Sequence, residues 1–303
     1  MGEIVEELMH EMKCEGGVED QAWLRAFELA SLCCLPMGLK TLIKLEVFDV
    51  MANADIEKDG TERGLYSTEE IVSRMNVSPD AKMRVSIALD RILRVVASHG
   101  VVHAKIDYDT FNKHQTRKYG LNLVSQYFVN KEHSLAPMVL MNQDSVFMET
   151  WQFLHEAVLD GGQPFKKAHN GLDAFEYGQL NPRFDSLFNS TMANHSALLI
   201  GALLNSYPTC FNDINVLVDV GGGLGSSLHM IISRFPHIRG INFDQPHVIS
   251  LAPKYSGRQL WQAYLIYDIM NFKFGEELIH NKQCLYVSFY VFFFSLVLSL
   301  NRN

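Results

Sequence analysis

Residues 216–244 constrain the fold of this chain more than any other stretch. Val216-Leu217-Val218-Asp219-Val220 is a short β-branched run of the kind that forms a buried parallel strand. It leads directly into Gly221-Gly222-Gly223-Leu224-Gly225. A helix follows, with Leu228, Ile231 and Ile232 on its inner face, and stops at Arg234-Phe235-Pro236. Gly240-Ile241-Asn242-Phe243 is then a second strand, closed by Asp244. Strand, glycine turn, helix and strand make a βαβ unit.

This unit has the chemistry of an adenosine-cofactor site. The glycines allow a sharp turn and a close approach of backbone to ligand, and the helix start presents amide groups. Asp244, 19 residues beyond Gly225, is placed to accept hydrogen bonds from two ribose hydroxyls. The dinucleotide pattern G-x-G-x-x-G is not met, because Ser226 holds its third glycine position. Asp219 adds a negative charge beside the loop, which would repel a pyrophosphate but suits the ammonium and sulfonium end of S-adenosylmethionine. The first βαβ unit also begins behind a long helical region, an order that favours a methyltransferase over a dehydrogenase. A purely structural βαβ unit is the alternative.

The preceding 200 residues read as helical. Trp23, Phe27, Ala30 and Cys34 follow helical spacing, as do Leu39, Leu42, Ile43 and Val47. Ser67 and Glu70 form a capping-box pattern. Ser78-Pro79 starts another helix, expected to turn Met83, Ile87, Ile92, Leu93 and Val96 inward and to end near Gly100. Residues 100–104 and 119–121 read as two short strands around a polar turn. Helices followed by a small β-ribbon form a winged-helix pattern. From Ala136 to about Ser206 the chain is helical again, and rich in Met, Phe and His with polar residues interspersed, which suits a pocket for a flat aromatic ligand.

Charge narrows the partners. With 26 Lys and Arg against 34 Asp and Glu, the net charge is −8, and no basic block offsets it. Such a chain repels phosphate backbones, so the winged-helix region is expected to dimerise or act as a lid, not bind nucleic acid. The five cysteines are odd in number and show no C-x-x-C spacing, which argues for a reducing compartment and against a zinc site. Met1 to Glu6 is acidic and fits neither a signal peptide nor a myristoylation pattern, so a cytoplasmic location is expected. Cys284 to Leu300 is an uncharged run of 17 residues, at the short edge of a membrane span. Its Phe- and Leu-rich make-up reads as intron or frameshifted sequence, with a membrane anchor as the lesser alternative, and it is β-prone and prone to aggregate.

The segments Leu217–Gly225 and Gly240–Ile249 resemble the plant caffeic acid O-methyltransferase family. Further matches are Asp90-Arg91-Ile92-Leu93-Arg94, Met141-Asn142-Gln143-Asp144, Ala157 to Gly162 with Pro164-Phe165, Ala174-Phe175-Glu176-Tyr177 and Asn181-Pro182-Arg183-Phe184. The likeness runs from about Ala26 to Gly257. It implies a homodimer in which each chain methylates a phenolic hydroxyl from S-adenosylmethionine, without a metal. It also implies an α/β Rossmann-like methyltransferase domain with an incomplete sheet, preceded by an all-α winged-helix-like dimerisation domain. The expected boundaries are 1–125 for dimerisation, 126–283 for a truncated O-methyltransferase domain, and 284–303 for an apolar tail foreign to the family.

The resemblance also assigns residues. Ser196, Gly221, Gly223 and Asp244 match cofactor contacts, and Asp219 joins them from its position beside the loop. Met141, Asn142, Phe147, Ala174, Phe184, Phe188, Met192 and His195 match positions lining the phenolic pocket, with Met141 and Met192 clamping the ring. Read alone, His195 in an apolar helical run is a core residue; the resemblance makes it a hydrogen-bonding pocket residue. Gly178 stands where caffeate-type members often carry His, and Gln245 replaces the usual Leu.

Past Gly257 the chain departs from the pattern. The family's Gly-Asp-Met-Phe, whose Asp contacts adenine, is represented only by the partial echo Asp268-Ile269-Met270-Asn271-Phe272. The His-Asp-Trp segment, whose histidine takes the phenol proton, is absent, and His280 lies in a different context. No catalytic base is therefore assigned, and weak or no methyl transfer is expected. The competing readings are a non-catalytic partner of a full-length methyltransferase and an N-methyltransferase of an aromatic amine.

Overall fold

The structure, a computed structural model, describes residues 18–57, 64–109, 114–253, 260–264 and 284–287. The N-terminal hexapeptide, the 268–272 echo, His280 and the tail beyond Val287 lie outside the described residues. The chain divides into two compact units, Met1–Gln126 and Tyr127–Asn303.

In the first unit, helices α1 (Val18–Ala30), α2 (Cys34–Lys44), α3 (Val47–Glu57), α4 (Thr68–Arg74) and α5 (Lys82–Ser98) precede a hairpin of β1 (Val102–Asp109) and β2 (His114–Leu121). The two early periodic stripes each cross a break: a turn at residues 31–33 separates α1 from α2, and Glu46, at φ 55°, separates α2 from α3. The capping box forms as expected. Ser67 Oγ accepts the Glu70 amide at 3.3 Å, and the Glu70 carboxylate accepts the Ser67 amide at 2.7 Å.

The helix after Ser78-Pro79 differs from its expected form. Pro79 opens one 3-10 turn, Ser78 makes no side-chain cap, and α-helix begins only at Lys82. Its buried face is Ser86, Leu89, Leu93 and Val96, while Met83 and Ile87 are 68% and 59% exposed. Met83 and Ile87 share a stripe one turn apart on a different side of the helix, so apolar character alone misplaced them. The hairpin strands are also longer than the expected ones, pairing in register from Val102 opposite Leu121 to Asp109 opposite His114. Residues 103–106 are exposed, so no buried alternation marked them. Tyr119, fully buried, ties β2 inward by donating its hydroxyl to Asp90 Oδ1 at 2.7 Å.

In the second unit, five short helices come first: α6 (Ala136–Asn142), α7 (Ser145–Gln152), α8 (Leu154–Asp160), α9 (Pro164–Ala168) and α10 (Ala174–Leu180). They lead into α11 (Pro182–Ser206), 25 residues long. The βαβ unit follows as β3 (Val216–Val220), α12 (Ser226–Arg234) and β4 (Arg239–Asp244), then α13 (Pro246–Leu251), β5 (Leu260–Tyr264) and β6 (Cys284–Val287). The strands form a parallel sheet in the order β5-β4-β3-β6. β6 is the start of the uncharged run: Cys284 pairs with Val216 and Val287 with Asp219, so the first four residues of the expected tail extend the sheet.

Leu217 on β3 packs with Leu228, Ile231 and Ile232 of α12 and with Ile200 and Leu204 of α11 in one buried cluster. This cluster holds α11 against the βαβ unit and so fixes the wall that faces the glycine loop. Among the described residues no single helix is long and apolar enough to cross a membrane; one pair, Gln21–Ala30 with Cys34–Lys44, passes that test by length and composition but is bent by 46°.

Candidate functional site

The loop between β3 and α12 turns through three left-handed glycines, Gly221 at φ 73°, Gly223 at φ 58° and Gly225 at φ 78°. Its amides are engaged within the protein. Gly221 and Gly222 donate to the Phe243 carbonyl at 2.8 and 3.2 Å, Gly223 donates to Asp244 Oδ2 at 2.7 Å, and Gly225 donates to the Gly222 carbonyl at 3.0 Å. Diphosphate loops turn these groups toward the ligand. Here three of them turn toward β4 and the fourth closes the loop on itself, unlike the arrangement of a diphosphate loop.

Gly222 serves a different purpose from its neighbours. A Cβ there would collide with Asn242 Oδ1 and lie 2.7 Å from Asp219 Cγ. The missing side chain lets β3 and β4 bring two buried acceptors together beneath the loop. Asn242 donates its Nδ2 to the Gly223 carbonyl at 3.0 Å, leaving Oδ1 without a partner. Asp219 is wholly buried, and neither of its carboxylate oxygens has a partner.

Burial, with Asp244 as a second and smaller influence, pushes the Asp219 carboxyl up to about 7. Asp244 is also raised by burial, but its amide partners Gly223 and Gln245 and the nearby His247 pull the other way. Gln245 donates its amide to Asp244 Oδ1 at 2.7 Å, so each oxygen of Asp244 already holds one backbone hydrogen bond. Each retains acceptor capacity for a hydroxyl.

α11 supplies the opposite wall. Asn189, Met192, Ala193 and Ser196 recur at spacings of three and four residues and line a small cavity with Asp219 and Gly223. That cavity is about 10 Å³, room for one water. Gln245, Pro246 and His247 at the start of α13, with Gly178, Gln179, Pro182 and Asp185, line a separate cleft of about 480 Å³.

The residues assigned to the acceptor lie on α6, α7, α10 and α11. Met141, Phe147, Ala174, Phe184, Phe188 and Met192 are buried in one cluster with Phe165. Phe184 is central, with ring centroids 5.5 Å from Phe147, 5.6 Å from Tyr177 and 6.1 Å from Phe188. The structure therefore brings these six of the expected residues together, packed on one another. Met192 alone of them also faces the loop cavity. Asn142 is half-buried at the end of α6, and His195 is half-buried on α11, where burial pushes its imidazole down and favours the neutral form.

Two family patterns match this chain: an O-methyltransferase dimerisation domain over residues 27–131 and an O-methyltransferase domain over residues 151–263. The caffeic acid 3-O-methyltransferase of Zea mays is 42% identical over 242 residues, 79% of this chain and 64% of that protein. The chain belongs to the O-methyltransferase family. The caffeic acid 3-O-methyltransferase of Clarkia breweri is 43% identical and the esculetin O-methyltransferase of Kitagawia praeruptora 41% identical, each over 79% of this chain and 63% of the relative. The chain thus spans less than two thirds of the length of these curated relatives.

Solved structures agree on the fold. Human N-acetylserotonin methyltransferase aligns with a TM-score of 0.62 at 16% identity, covering 82% of this chain and 67% of its own. A methyltransferase of calicheamicin biosynthesis aligns at 0.58 and 17% identity, covering 88% of this chain and 66% of its own. The chain therefore has the class I methyltransferase fold, preceded by a helical dimerisation domain.

The residues expected to hold the cofactor suit a cationic amino acid joined to an adenosine. An orphaned buried carboxylate faces the loop cavity, Gly222 leaves a cradle a Cβ would fill, and Asp244 retains acceptors for ribose. The cavity beside Asp219 would have to widen to admit the amino-acid end. Asn189 and Asn242 belong to this site although the sequence motifs do not single them out. Helical spacing from Met192 points to Asn189, and the strand alternation that puts Asp244 and Asn242 on one face points to Asn242.

Proposed function

We propose that this chain binds S-adenosylmethionine and transfers its methyl group to a phenolic hydroxyl of a phenylpropanoid, coumarin or flavonoid. The observation that carries the reading is Asp219, a buried carboxyl with no partner, set behind a loop whose amides face inward. Such a carboxylate attracts a cation and repels a phosphate. The relatives' names supply the acceptor class: caffeic acid for two and esculetin for a third.

In this reading Asp219, Gly221, Gly223 and Ser196 hold the amino-acid end and Asp244 the ribose. Met141, Asn142, Phe147, Ala174, Phe184, Phe188 and Met192 hold the acceptor ring, and neutral His195 bonds its oxygen. Bound S-adenosylmethionine supplies an electrophilic methyl on a sulfonium, so the reading invokes no metal. Residues 1–303 contain no His-Asp-Trp segment. Without that base, the phenol proton leaves to water, and transfer by this chain is slow. We place the chain in the cytoplasm as a homodimer through its first unit.

Isothermal titration with S-adenosylmethionine and S-adenosylhomocysteine tests the cofactor, and labelled methyl transfer to caffeate, esculetin and anthranilate tests the acceptor. Failure to bind either adenosyl compound at millimolar concentration would overturn the reading. Labelling of anthranilate alone would replace oxygen by nitrogen as the acceptor.

A second reading is favoured by the apolar surface of the dimerisation domain, where Met83 and Ile87 are largely exposed. The chain would pair with a full-length methyltransferase and contribute no chemistry. Binding of S-adenosylmethionine by the homogeneous chain separates the two.

A further inference from the structure

Asp219 and Asn242 are paired residues on neighbouring strands, both fully buried, and each has an acceptor oxygen that nothing in the protein answers. We infer that the two residues form a one-proton switch: in the cofactor-free chain Asp219 is a neutral carboxyl that donates to Asn242 Oδ1, and the ammonium of the incoming cofactor takes the place of that proton. The inference rests on the S-adenosylmethionine reading above.

The register of β3 and β4 sets Asp219 directly opposite Asn242, so the two side chains leave the sheet on one face. Both border the space that a Cβ at residue 222 would fill. Asn242 is held by its Nδ2, which donates to the Gly223 carbonyl at 3.0 Å, and this turns Oδ1 and not a donor toward the carboxyl. The amides of Gly221, Gly222 and Gly223 are spent on β4 and do not reach Asp219 either. An ionised Asp219 would therefore face a second acceptor in a site closed to water, whereas a protonated one has a partner ready. Burial raises its carboxyl in the same sense, to about 7.

Little else bears on this proton. From β4, Asp244 opposes the charge on Asp219, and His247 acts on Asp244. From α11 and α12, Asn189, Ser196, Ser226 and Ser227 line the cavity, and none of them titrates near neutral pH. On β6 the residue opposite Asp219 is Val287. Among the described residues no Lys or Arg lines the cavity to hold Asp219 ionised. A cation that enters does so: the Asp219 O–H bond breaks, its proton passes to a buffer base, and the carboxylate pairs with the ammonium. Asn242 is thus a positioning residue, which sets the pH at which Asp219 becomes available.

The test is isothermal titration of the full chain with S-adenosylhomocysteine at pH 6 and pH 8, each in phosphate and in imidazole, whose unlike ionisation enthalpies report the protons released. The wild-type chain is expected to release about one proton per ligand at pH 6 and about a tenth of one at pH 8, and to bind about tenfold more weakly at pH 6. Asp219→Asn should bind with no proton release and with an affinity that does not change between the two pH values. Asn242→Ala should lower the midpoint of release by about one pH unit, because the neutral carboxyl loses its acceptor; a merely structural role would leave the midpoint in place. Circular dichroism checks that each variant folds, and the wild-type chain decides the outcome even if one does not. Wild-type binding at pH 6 without proton release, or release that persists in Asp219→Asn, overturns the switch and leaves the cofactor reading standing. Failure of the wild-type chain to bind at either pH overturns both.

Discussion

Asn242 gives its Nδ2 to the carbonyl of Gly223 and so turns an unpartnered Oδ1 toward the Cβ-less face of Gly222, where the orphaned carboxyl of Asp219 lies. The Gly223 carbonyl needs a donor, so the amide cannot turn over without setting two acceptors against each other. Beneath the loop, acceptors outnumber donors. Such an arrangement stores a demand for a proton or a cation, and it makes Asp219 the electrostatic centre of the site.

That demand has a pH signature. The Asp219 carboxyl is raised from 3.8 to about 7 in the folded protein, so between these values the folded chain holds a proton that the unfolded chain has lost. Its contribution to stability is complete below about pH 4 and is lost as pH rises through about 7. Asp219→Asn removes this slope. Its Tm, relative to wild type, is expected to rise between pH 4 and 8, each unit of pKa being worth about 1.4 kcal/mol, or about 2–4 °C. Differential scanning fluorimetry of the two chains across that range checks it, and parallel curves would sink the idea.

Gly222→Ala forces a methyl group against Asn242 and Asp219. Destabilisation of about 1–3 kcal/mol is expected, from the overpacking of a closed site. S-adenosylhomocysteine binding should be lost with it. Urea midpoints and titration calorimetry report the two effects separately; a chain as stable as wild type would mean that the loop has room the structure does not show.

Phe184 is 1% exposed and stacks among Phe147, Tyr177 and Phe188. Phe184→Ala should cost about 3–5 kcal/mol, the range for truncating a buried aromatic ring. A loss under about 1 kcal/mol in urea denaturation would show that the cluster is an open pocket in solution and not a packed core.

Met83 and Ile87 present an apolar stripe on α5. The chain is expected to run as a dimer in light scattering coupled to size exclusion. The double change Met83→Glu with Ile87→Glu should leave a folded monomer, since two like charges would be buried at the contact. A double variant that remains dimeric moves the interface elsewhere.

Much of the site was legible in the primary structure. The glycine run after a β-branched strand, with Asp219 before it and Asp244 at the end of the next strand, located the loop, its helix and its acid without coordinates. The capping box at Ser67 and Glu70 was legible for the same reason: a local hydrogen-bond pattern needs only local sequence. Met83 and Ile87 were misread because periodicity says which residues share a face and not what that face meets. The hairpin was under-read because a ribbon with exposed side chains carries no alternation to detect.

The sequence by itself determined the βαβ unit and the family, because each depends on residue types at short fixed spacing. Only the tertiary structure decided that the amides of Gly221, Gly222 and Gly223 face β4, that Asp219 is left without a partner, and that the aromatic residues of α6 to α11 close on one another. Those outcomes depend on groups far apart in the chain meeting at ångström distances. Gly223 and Asp244 are 21 residues apart, and Gln179 and Gln245 are 66 apart, and no local pattern encodes which of their hydrogen bonds form.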